Sequence, residues 1–158
     1  MKKSLLITPL LFVLSTSAFS QVLWQKAETG MTPNQIKKEF SDAVETSTNN
    51  TFSNGGKALL HIPNYHVGSD DMDVQFVFRD EKLYMVRMEA KTSAPSVTFN
   101  SLKNLLKSKY GQPLDATTDS ISQNLFWKNE GVDVRLANIM GIVVISYKDA
   151  QSSDANKL

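Results

Sequence analysis

Cysteine is absent from all 158 residues. That excludes disulfides, thiolate metal sites, thiol nucleophiles and redox exchange, and it leaves packing as the source of stability. Histidine is nearly as scarce, with only His61 and His66, separated by Pro63. On one regular strand these two would point to opposite faces, so they read as strand or loop residues rather than as part of a triad or a metal site with Asp70 or Asp71. The acidic cluster Asp70-Asp71-Met72-Asp73 has none of the spaced acids, central glycine or terminal glutamate of a calcium loop and reads as a solvated turn. A Gly-rich phosphate cradle, a serine nucleophile elbow and a His-Glu metal helix are all missing. The expectation is a non-enzyme with no catalytic residue, no cofactor and no metal. Charge of one sign is lacking as well: 17 Lys and Arg face 16 Asp and Glu. A balanced chain gives no electrostatic reason to expect nucleic acid or an anionic membrane as partner.

Long apolar runs are missing beyond the first twenty residues. There, Lys2 and Lys3 precede an apolar run over 5–14, and the segment closes on Ser17-Ala18-Phe19-Ser20. The run is shorter than the roughly 20 residues a membrane helix needs, and Pro9 interrupts it. This is the layout of a secretory signal peptide, with cleavage expected near Ser20/Gln21. The chain thus divides into a signal peptide (1–20), a single domain (21–149) and a disordered tail (150–158). The protein is expected in the periplasm or secreted, with no stable membrane insertion after cleavage. Without Lys2 and Lys3, the formal charge of +1 becomes −1.

What the chain does have is alternation. In residues 73–90, Val74, Phe76 and Phe78 alternate with Gln75, Val77 and Arg79, and a turn at Arg79-Asp80-Glu81-Lys82 leads into a second extended run, which predicts a β-hairpin. In that run Tyr84, Val86, Met88 and Ala90 are expected on one face and Met85, Arg87 and Glu89 on the other. Leu83 is out of phase, so a bulge is expected near the turn. Ahead of the hairpin, Trp24 is expected to cover one end of the core. Thr32, Pro33 and Gln35 form a helix start with a capping box, and the helix should run from 33 to about 44. Residues 45–57 read as a loop pinned by Phe52, containing one sequon at Asn49. Residues 58–67 read as a strand, made an edge or bent by Pro63.

After the hairpin, Phe99, Leu102, Leu105, Leu106 and Tyr110 keep helical spacing over 98–111, with Gly111 and Pro113 as stop. Residues 114–123 read as a loop. Strands are expected at 124–128, at 132–136 and at 142–147, the last apolar in both phases and therefore central. The elements spell helix, three strands, helix, three strands. This predicts an α+β fold of two α-β-β-β units that form a twisted antiparallel sheet with both helices packed on one face.

The segment Gly30-Met31-Thr32-Pro33-Asn34-Gln35-Ile36, a capped helix leading into an antiparallel meander, resembles the periplasmic family of the outer-membrane assembly lipoprotein BamE and the related β-lactamase inhibitor proteins. Lys109-Tyr110-Gly111-Gln112-Pro113, closing a helix before a Trp-containing strand, is similar to many small exported bacterial domains. The chain differs from the BamE pattern in having no cysteine to carry a lipid. The resemblance implies a sheet face that grips a partner protein. Together with the absent catalytic patterns, it leads to an exported, non-enzymatic protein-binding module whose partner is another envelope or secreted protein, in a sharper version an inhibitor or immunity protein for a secreted hydrolase. The candidate contact residues on the outward sheet face are Gln75, Arg87, Asp133 and Arg135. The alternative is a periplasmic carrier of a lipid or peptidoglycan fragment, held near Trp24, Phe99, Trp127 and Tyr147.

Overall fold

Thr32 adopts extended backbone and opens the helix α1 (Pro33–Glu39), with Pro33 at its first turn. The Thr32 hydroxyl accepts the Gln35 N–H, and the Gln35 side chain accepts the Thr32 N–H at 2.9 Å, the reciprocal capping box. Thr32→Ala should therefore cost about 1 kcal/mol of stability, measurable as a shift in the urea midpoint. The helix is shorter than its apolar spacing suggests. It ends at Phe40, whose backbone is already extended, and Val44 leaves it to start a strand.

The structure is a computed structural model, and it describes residues 20–47, 51–53 and 55–151. The expected signal peptide, the sequon at Asn49 and residues 152–158 of the expected tail lie outside the described residues. Ala150, the first residue of that tail, is buried and donates its N–H to the Gly131 carbonyl.

Two short strands, β1 (Val22–Trp24) and β2 (Ala27–Glu28), pair with each other ahead of α1. The remaining strands are β3 (Val44–Glu45), β4 (Lys57–Val67), β5 (Asp70–Arg79) and β6 (Lys82–Ala90). After the helix α2 (Pro95–Tyr110) come β7 (Asp115–Thr118), β8 (Ser122–Asn129), β9 (Val132–Ile139) and β10 (Ile142–Asp149). They form one eight-stranded antiparallel sheet of order β3-β4-β5-β6-β10-β9-β8-β7. Two meanders meet along β6 and β10, and β10 is a central strand, as its apolar run implies.

This corrects the expected fold class. The chain is mostly β, with 52% of the described residues in strands and only two helices. The α-β-β-β units with paired helices on one sheet face are not what forms. Each meander has four strands, because the edge strand β3 takes Val44 from the end of the expected helix and Glu45 from the expected loop, and β7 forms within the stretch 114–123 read as a loop. The helices are also unequal. α2 lies over β9 and β10, whereas α1 is two turns long and buries one side chain, Ile36.

Period-two alternation places the core. Leu60, Phe76, Val86, Tyr147, Val134 and Trp127 form one cross-strand row, and Ile62, Val74, Met88, Ile145, Leu136 and Leu125 form the next. All belong to a single buried cluster that also takes in Trp24, Ile36, Phe40, Phe99, Leu102 and Leu106. Trp24 stacks on Phe40 with ring centroids 5.6 Å apart, and Phe40 packs on Phe76 at 5.1 Å.

The hairpin turns follow backbone demands. Asp80–Glu81, Glu130–Gly131 and Met140–Gly141 all have positive φ at both positions, as two-residue type I′ turns require. Phe78 pairs with Leu83 and Val77 with Met85, which leaves Tyr84 as the extra residue of the expected bulge. Tyr84 does not join Val86 and Met88 on the core face. Its ring lies under Lys148 and Arg79, at 5.3 and 4.5 Å, on the other side.

Candidate binding face

The sheet face away from the core carries one register row across all eight strands: Val44, His61, Gln75, Arg87, Ser146, Arg135, Phe126 and Asp115. Three of the four residues expected on this face, Gln75, Arg87 and Arg135, lie in that row. Asp133 sits one row over, registered between Lys128 and Lys148.

The two ends of the row differ in what their charges meet. At the β4–β6 end, His61 Nδ1 lies 2.8 Å from Asp73, Gln75 donates to Asp73 at 3.0 Å, and Arg87 donates to Gln75 at 3.0 Å. Arg87 also pairs with Glu89 at 2.6 Å and lies against the Phe52 ring, 5.8 Å from its centre. Its side chain is 18% exposed, and Gln75 is buried. These groups satisfy one another, which leaves the Gln75 side chain buried and the Arg87 guanidinium paired. Phe52 does pin the β3–β4 loop, and it does so over Arg87.

At the β8–β10 end Arg135 donates through Nε and Nη2 to the Asn124 side-chain carbonyl, at 3.1 and 2.6 Å. Asn124, itself buried, is oriented by donating to Ser122 and Thr117. Among the described residues no carboxylate pairs with Arg135. Its half-buried guanidinium is pushed below the usual arginine value by desolvation, yet arginine stays charged at any physiological pH. Among the described residues nothing accepts from its other three N–H donors.

Arg135 lines a depression of about 470 Å³ with Tyr84, Met85, Phe126, Ser146 and Lys148. Lys128, Lys148 and Arg135 outnumber Asp133 on its rim, so the site is net positive. Burial first, and then Arg79, lower the pKa of the Lys148 ammonium, while Asp133 and Asp149 oppose the shift. Asn124, Phe126, Ser146 and Lys148 were not singled out in the sequence. The alternation of β8 and β10 could have placed them on this face, but nothing in the sequence marks them as neighbours of Arg135.

The two histidines stay apart, His61 on Asp73 and His66 on Asp71 at 2.5 Å. Among the described residues no group of three or more His, Asp and Glu could hold a metal ion. No described helix is long and apolar enough to cross a membrane. Of the aromatics expected to hold a small ligand, Trp24 and Tyr147 line a cleft on the core side of the sheet. Phe99 and Trp127 are packed in the core instead, the Trp127 indole N–H donating to the Gly111 carbonyl at 2.9 Å.

No curated protein and no solved structure matches the chain, and nothing links it to the BamE or β-lactamase-inhibitor families. A family model, the TP0088 domain, matches residues 22–157. Nearly the whole domain is covered, and the chain belongs to the TP0088 domain family.

Proposed function

We propose that this protein is an exported, non-enzymatic binding module that grips another envelope or secreted protein through the β8–β10 end of its outer sheet face. The observation that carries the reading is Arg135, a half-buried guanidinium that donates twice to Asn124 and lacks a carboxylate partner among the described residues. A protein partner supplying an Asp or Glu beside an apolar or aromatic side chain fits this depression. The carboxylate takes the remaining guanidinium donors in a charge-assisted pair, and the apolar group rests beside the partly exposed Phe126. Inhibition of, or immunity to, a secreted hydrolase is the sharper form of the same reading. Export is supported by the layout of residues 1–20.

The test is affinity capture from an envelope extract followed by titration of the recovered partner. Arg135→Ala should weaken binding about 30-fold, the size of a hot-spot contact of about 2 kcal/mol. Arg87→Ala should leave binding within about twofold, because Glu89 and Gln75 already occupy that guanidinium. A partner held equally by wild type and the Arg135→Ala variant would exclude this surface.

A further inference from the structure

Between the inner face of the sheet and the chain laid over it lies a cleft of about 820 Å³, within the size range of small-molecule sites. Its floor is Met88, Val134, Ile145 and Tyr147, one wall is Leu102, Leu105 and Leu106 of α2, and the other is β1 with residues 65–68. The walls close tightly at their ends. Leu105 Cδ1 would lie 3.2 Å from a Cβ on Gly68, and the Gln21 side chain would lie 3.0 Å from one on Gly131. At the mouth, Val22 and Leu105 remain 45% and 43% exposed, apolar side chains that an occupant would cover.

The polar groups in the cleft decide what kind of molecule fits. Three elements bring phenols into it: Tyr65 from β4, Tyr110 from the end of α2 and Tyr147 from β10. Tyr147 is hydrogen-bonded with Tyr110, and Gln25 donates to the Tyr65 hydroxyl at 2.6 Å. Phenols and amides both donate and accept, which suits hydroxyl groups. Lys109 and Glu130 are one of each sign, and His66, which also lines the cleft, is taken up by Asp71, so neither a carboxylate nor an ammonium head would find a net opposite charge for its lost hydration.

We propose that this cleft binds a single-chain lipid with an uncharged, hydroxyl-bearing head, of the monoacylglycerol type. The chain lies along the aliphatic wall and floor, and the head meets the three phenols. The site is on the opposite side of the sheet from Arg135, so the two readings stand or fall separately.

The experiment is isothermal titration of the purified protein with 1-monolauroylglycerol, laurate and dodecyltrimethylammonium, which share a chain and differ in head charge. The neutral compound should bind one to one, at least about tenfold tighter than either charged one, and should shift the fluorescence of Trp24. Leu105→Trp, and independently Val22→Trp, fill the cleft from exposed rim positions and should each weaken it about tenfold or more. Arg135→Ala should leave it unchanged. Equal or tighter binding of laurate or the ammonium compound would overturn the neutral head. Absence of saturable binding below the micellar range, or binding indifferent to both rim variants, would overturn the cleft as a lipid site.

Discussion

Phe76→Ala should remove about 3–5 kcal/mol of stability, a large share of the 5–15 kcal/mol that holds a domain of this kind together. Phe76 is fully buried on β5, one of the strands of the longer hairpin, and its ring is contacted by two other pieces of chain. Phe40, just past α1, packs on it at 5.1 Å, and Trp24 of β1 reaches it at 6.3 Å. Truncation therefore leaves a void beneath the Trp24–Phe40 stack as well as a gap in the cross-strand row. Phe126, half-buried at the Arg135 depression on the other face, gives the contrast: its alanine variant should lose no more than about 1 kcal/mol. Urea unfolding of the two variants, followed by Trp fluorescence, separates them. Similar midpoints would mean that the Phe76 row is not the core.

The parts of this fold that could be read in advance are those where one residue type repeats at a fixed period. Val74, Phe76 and Phe78 announce β5, Leu83 out of phase announces the bulge, and residues 142–147, apolar in both phases, announce a central strand. The edge strands β3 and β7 left no such trace. Val44–Glu45 and all four residues of Asp115–Thr118 are exposed and pair on one side only; Val44 fits the apolar spacing of the preceding helix, and Asp115–Thr118 has the composition of a loop. Without β3 and β7 the same elements spell two three-stranded meanders and an α+β fold class. Pro63 was a signal in part. β3 covers only Leu60 and His61, and the register shift between Ile62 and Tyr65 brackets Pro63, which thus sits on a stretch of β4 with one neighbour.

For the binding face, alternation placed Gln75, Arg87, Asp133 and Arg135 on one side of the sheet but could not rank them. Rank depends on what tertiary structure brings alongside. Arg87 has Glu89 two residues on along its own strand, a pairing visible in sequence, and also Phe52 from a loop, which is not. Arg135 is held by Asn124 from the adjacent strand β8, and that no carboxylate among the described residues pairs with it, although Asp133 lies two residues back on its own strand, is a property of the assembled sheet. Two arginines of the same register row thus differ in their partners, one paired with the Glu89 carboxylate and the other bonded to the Asn124 amide.

Tyr147→Phe should change the alkaline limb of stability more than its neutral value. At neutral pH the loss of one partly shielded hydrogen bond, that with Tyr110, costs no more than about 1.5 kcal/mol. Burial is the main reason that the Tyr147 phenol holds its proton far above the ordinary value of about 10, with Tyr110 and Tyr65 adding to the effect. Above pH about 10 the unfolded chain therefore releases this proton while the folded chain keeps it. Where the folded state binds more protons, stability falls as pH rises, by about 1.4 kcal/mol per pH unit for one such group. The contribution is fully present below the unfolded value and is lost progressively above it. The phenylalanine variant lacks this titration, while every lysine and the other tyrosines remain common to both proteins. The stability advantage of wild type over Tyr147→Phe should thus shrink by about 1.4 kcal/mol for each unit above pH 10 and then reverse sign. Guanidinium unfolding from pH 8 to 11.5 measures it, and two curves that stay parallel throughout would show that Tyr147 ionises as freely in the fold as outside it.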